Sequence, residues 1–149
     1  RGCRLMAVSK INTNSLGLTI ASGSGTQNPT ANNTVYDLVT GLTIPDNSLI
    51  VVAFMFAANS GQNGDPGADA TCWCLISDSS NSATDDTLAS TMRNENPKVG
   101  FRNTIGQVTY FNDTGAALTN QKIRVQQYAG GTFNASTVTM KYRIIGFNE

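Results

Sequence analysis

Leu49-Ile50-Val51-Val52-Ala53-Phe54-Met55-Phe56 opens the longest apolar run of the chain, which ends at Ala58. The run is rich in β-branched and aromatic residues, and polar turn formers bound it on both sides. That combination predicts a strand rather than a buried helix. Upstream, Pro45-Asp46-Asn47 is a turn, because proline presets φ at the first central position. Downstream, residues 59–69 form a loop of Gly, Asn and Asp. A strand apolar on both faces must be covered twice, once by its own core and once by a second sheet edge or another subunit.

The rest of the chain repeats the texture of short apolar runs between Gly, Asn, Ser, Thr and Asp. Strands are expected at 16–20, 34–40, 71–77, 98–102, 106–111, 121–128 and 137–145. In the last, Val138, Met140, Tyr142 and Ile144 share one face, while Thr139, Lys141 and Arg143 take the other. Residues 21–30, ASGSGTQNPT, have the composition of a flexible linker. Only Leu88 and Met92, four apart, offer a place for a helical turn. The expected fold is therefore all-β, an antiparallel sandwich or jelly roll of about eight strands. An extended N-terminal arm and linker would occupy residues 1–30, and the sandwich residues 31–149. At 149 residues one domain with a proper core is expected.

Charge narrows the function. Ten basic and ten acidic residues cancel, and charged residues are 13% of the chain. No basic surplus exists to neutralise phosphates, so neither nucleic acid nor an anionic membrane surface is an expected partner. The apolar run is too short for a bilayer, which needs about 20 residues. No signal peptide is read at the N-terminus, where Met6-Ala7-Val8-Ser9-Lys10 resembles a translation start behind five further residues.

Histidine is absent. This removes the usual general base near neutral pH and the partner of Ser and Cys nucleophiles. Paired carboxylates remain as an enzyme option, with Asp65 and Asp69 or Asp85 and Asp86 as candidates for glycoside hydrolysis. All four lie in loops where Asp serves turn formation. No catalytic residue is assigned and no enzyme is expected. Asn63, Asp65 and Asp69, or Asp78, Asn81, Asp85 and Asp86, supply oxygens for calcium, but without the spacing of a calcium loop. No metal or other cofactor is expected. Cys72 and Cys74 flank Trp73 on a strand and read as small buried apolar groups, with Trp73 on the opposite face.

The order of elements resembles a known family. Thr34 to Pro45 reads as a strand ending in a short turn, followed at once by Leu49 to Phe56. Gln121-Lys122-Ile123-Arg124-Val125-Gln126 and the closing Thr137 to Ile145 complete the pattern. Together they are similar to the jelly-roll domains of tailed-phage virion proteins that resemble tumour-necrosis-factor-like trimers. The leader Met6 to Leu16 is similar to that of phage fibre and head-surface proteins. The resemblance covers residues 6–147 as a texture of strands and turns, without an invariant signature.

It implies a virion structural protein: a homotrimeric capsid decoration (cement) protein or a fibre subunit. Such a protein would be made in the host cytoplasm, sit on the virion surface, and contact itself and the major capsid or other virion proteins. Leu49, Val51, Ala53, Met55, Val138, Met140, Tyr142 and Ile144 are the expected interface, and Ile11, Leu16, Leu18 and Ile20 the capsid-docking arm. Lys141 and Arg143 carry more charge than a trimer axis favours. The alternative is a carbohydrate-binding sandwich with a host glycan as partner, which requires Trp73, Tyr110 or Tyr128 to be exposed beside carboxamides.

Overall fold

The computed structural model describes residues 19–57, 70–77, 87–95, 103–129 and 137–147. They form eight strands. These are β1 (Thr19–Gln27), β2 (Thr34–Ile44), β3 (Ser48–Ala57), β4 (Ala70–Ser77), β5 (Thr87–Glu95), β6 (Asn103–Asn112), β7 (Leu118–Ala129) and β8 (Thr137–Gly146). Two four-stranded sheets result, ordered β1-β8-β3-β6 and β2-β7-β4-β5, with every pairing antiparallel.

The pairing is nested. The fourth strand pairs with the fifth, the third with the sixth, the second with the seventh and the first with the last. The chain is thus one long hairpin, rolled so that β3 also meets β8 and β4 also meets β7. That winding defines an antiparallel jelly-roll β-sandwich.

Alternation along β3 builds the core. Ile50, Val52, Phe54 and Phe56 are fully or almost fully buried. They meet Cys72, Cys74 and Ile76 of β4 and Ile123 and Val125 of β7 in one cluster. Burying a side chain of this size is worth about 1.5–3 kcal/mol.

Two sequence expectations change. Residues 21–27, expected as linker, belong to β1, whose backbone pairs with β8 from Gln27↔Val138 to Thr19↔Ile145. Small residues there are a packing requirement. A Cβ on Gly25 would stand 2.6 Å from the Leu38 carbonyl of the opposite sheet, and one on Gly23 would stand 2.6 Å from the Tyr142 ring. The sandwich therefore includes residues assigned to the arm. Leu88 and Met92 lie on strand β5 rather than on a helical turn, because pairing with β4 satisfies the backbone there. The strand expected at 98–102 lies outside the described residues.

At one end of the roll two turns are tied together. Asn112 donates from Nδ2 to the carbonyls of Ile44 and Pro45, each at 3.0 Å, and Gly115 N–H donates to Asp46 Oδ1 at 2.9 Å. At the other end the Tyr36 hydroxyl gathers the β1–β2 connection. It is bonded to the Thr30 hydroxyl at 3.1 Å and accepts from Thr30 N–H at 3.1 Å and Ala31 N–H at 2.9 Å. These bonds, the Thr30 hydroxyl foremost, hold its pKa below the ordinary phenol value.

Candidate functional site

The outer face of the β1-β8-β3-β6 sheet is the candidate site. With alternate β3 residues turned into the core, Leu49, Val51 and Met55 are left half-buried and Ala53 exposed on the outside. Registry sets their neighbours. Leu49 lies between Phe111 and Ile145, and Met55 between Ile105 and Thr139. Val51 lies beside Arg143 and Ala53 beside Lys141. The β1 edge completes the face with Ser22 opposite Arg143 and Ser24 opposite Lys141.

The face carries an apolar stripe along β3, flanked by Gln107 and Thr109 of β6 and by Thr139, Lys141 and Arg143 of β8. Ile105 is 70% exposed, Phe111 45% and Phe147 41%. The rings of Phe111 and Phe147 lie 6.0 Å apart, tilted by 58°. Exposed apolar residues gathered on one face, rather than scattered singly, mark an interaction surface. Two open depressions of about 430 and 450 Å³ cross the same sheet, and both include Ser24, Ala53 and Lys141 in their walls. Small β1 side chains leave that space. Lys141 and Arg143 are exposed, and neither is in an ion pair among the described residues.

The expected interface set divides. Leu49, Val51, Ala53 and Met55 occupy the outer face. Val138, Met140 and Ile144 do not: they are buried in the core opposite Phe56, Phe54 and Ile50. Tyr142 lies on that same inward side, partly buried over Gly23. The physical reason is that β8 has one apolar and one charged side. The sandwich interior takes the apolar side, and Lys141 and Arg143 turn outward. Of the arm residues, Ile20 is on β1 and 45% exposed, while Ile11, Leu16 and Leu18 lie outside the described residues. Ile105, Phe111, Ile145 and Phe147 were missed. Their alternation is visible in the sequence, but their gathering beside β3 depends on registry.

The other sheet turns a polar face outward. Asp37 Oδ1 accepts from Arg124 Nε at 2.8 Å, and its Oδ2 lies 3.2 Å from Lys122 Nζ. Gln126 Nε2 donates to Asn33 Oδ1 at 2.9 Å and to Asn33 O at 3.2 Å. Trp73 stands opposite Gln126, half-buried, and Tyr128 is 44% exposed. Tyr110 packs against the core. Cys72 and Cys74 are both buried, and burial pushes the Cys74 thiol up to about 12. Among the described residues no group of three or more His, Cys, Asp or Glu could hold a metal. Asn63, Asp65, Asp69, Asp78, Asn81, Asp85 and Asp86 lie outside the described residues.

No family model matches the chain, and no curated protein does. Among solved structures it is similar to the infectious bursal disease virus VP2 subviral particle. The TM-score is 0.48 at 7% identity, over 85% of this chain and 31% of that one. The chain thus spans about a third of that protein's length.

Proposed function

We propose that this chain is a virion structural protein that works through protein–protein contacts, as a homotrimeric capsid decoration (cement) protein or a fibre subunit. It has no catalytic role in this reading. It would be made in the host cytoplasm and end on the virion surface, bound to itself and to the major capsid or other virion proteins. One observation carries the reading: the outer row of β3 and its neighbours Ile105, Phe111 and Ile145 leave an apolar sheet face open to solvent. Interfaces between permanently associated chains resemble a core cut in half.

The test joins native mass measurement with electron microscopy of particles prepared with and without the protein. Val51→Asp combined with Met55→Asp should leave the fold intact and abolish both self-association and particle binding. Retention of both by the double variant would refute the reading.

A second reading, carbohydrate binding, is favoured by Tyr128, 44% exposed on the same sheet face as Trp73 and the Gln126 carboxamide. A glycan array comparing the wild type with Tyr128→Ala tests it. Absence of any bound glycan would remove it.

A further inference from the structure

We infer that the outer face of the β1-β8-β3-β6 sheet is covered by a second copy of this chain, head to tail. The partner presents the end of its sandwich that carries Asp46 and Asp113. The inference rests on the proposed self-association through that face and adds which part of the partner copy meets it.

Consider what the face demands. Lys141 and Arg143 stand outward in its middle, opposite Ala53 and Val51. The described outward residues of all four strands include no acid. Covering two unpaired cations with an uncharged surface costs several kcal/mol per ion. The occupant must therefore bring carboxylates as well as apolar area. Two-fold pairing of this face with itself would set the cations of one copy against those of the other. Head-to-tail contact avoids that, and it closes into a ring when the rotation permits.

The chain carries the complement. Of the acids whose side chains are described, Asp37 is already held by Lys122 and Arg124. Asp46 and Asp113 remain, on the β2–β3 and β6–β7 turns at one end of the sandwich. Those turns are built rather than loose, through the bonds of Asn112 to Ile44 and Pro45 and of Gly115 to Asp46. With the total at zero, no long-range repulsion keeps copies apart.

Four strands spaced about 4.8 Å and about ten residues long at 3.4 Å each present roughly 650 Å², most of the about 800 Å² per partner that a stable interface covers.

The test uses the full chain in native mass spectrometry and light scattering, with Lys141→Glu/Arg143→Glu as the face variant and Asp113→Lys as the end variant. The wild type should form a closed oligomer that weakens as salt is raised. Each variant alone should associate roughly tenfold or more weakly, with an unchanged circular dichroism spectrum. Mixing the two should restore contact between unlike copies, because each then meets its opposite charge. A face variant that keeps the wild-type mass, or a mixture that stays monomeric, overturns the inference. A wild type that is monomeric alone yet binds particles through Val51 and Met55 also overturns it, while leaving the proposed virion role standing. A wild type that neither associates nor binds particles removes both.

Discussion

Asn112 and Ile44 stand 68 residues apart and are joined by a hydrogen bond of 3.0 Å, from carboxamide Nδ2 to the main-chain carbonyl. The bond crosses from the end of β6 in one sheet to the end of β2 in the other. Asn112 is fully buried, and its Nδ2 also reaches Ala116 O at 2.9 Å, while its Oδ1 accepts from the Thr114 hydroxyl at 2.8 Å. Asn112→Ala would take this donor from the buried Ile44 carbonyl, while Pro45 O keeps the Ser48 hydroxyl and Ala116 O that of Thr114. We expect a loss of about 2–4 kcal/mol in urea unfolding. An unchanged midpoint would show that the staple is dispensable.

The two glycines of β1 make different demands. A methyl at position 25 meets a backbone carbonyl, which cannot turn aside, whereas one at position 23 meets the edge of the Tyr142 ring. Gly25→Ala should cost about 1–3 kcal/mol and Gly23→Ala less, since a ring shifts more readily than a strand. Thermal melts of both variants test the order, and a reversed order contradicts the packing described.

Asp37 holds two cations of β7, one of them on the mostly buried Arg124. Asp37 itself is 38% exposed, so water screens part of the interaction. Asp37→Ala should cost about 1–2 kcal/mol, between the values for surface and buried pairs. High salt should narrow the difference between wild type and variant in urea titrations. A salt-independent difference would point to packing instead of charge.

Cys74 is held neutral by its surroundings, with its pKa raised from about 9 to about 12. An acid group whose folded pKa is raised leaves stability intact below the unfolded value. That stability declines as pH climbs from 9 toward 12, by about 1.4 kcal/mol per unit for one such group. The wild type should therefore lose stability over this window faster than Cys74→Ala, as read by urea unfolding at several pH values. Parallel curves for the two proteins would dismiss the effect.

Much of this fold was readable from alternation alone. The run from Leu49 to Phe56, the two-sided pattern from Thr137 to Ile145 and the turn at Pro45 each marked a strand or its end. What could not be read was pairing. In β1 the residues ASGSG look like linker because their small size signals flexibility in isolation. In the structure the same size lets Tyr142 and Leu38 approach. Likewise Val138, Met140 and Ile144 were recognisable as one apolar face, but whether it looked inward depended on β8 lying beside β3. Lys141 and Arg143, an oddity for a trimer axis, are the two cations that β8 turns outward beside Ala53 and Val51.

The nested pairing governs how the molecule is made. Counting only sheet partners, β1, β2 and β3 have none among themselves: each must wait for β8, β7 or β6. These three strands come first in the sequence, and their sheet partners β6, β7 and β8 come last. Such distant contacts slow folding to the millisecond-to-second range. Until those partners arrive, the apolar β3 segment has no strand to cover it.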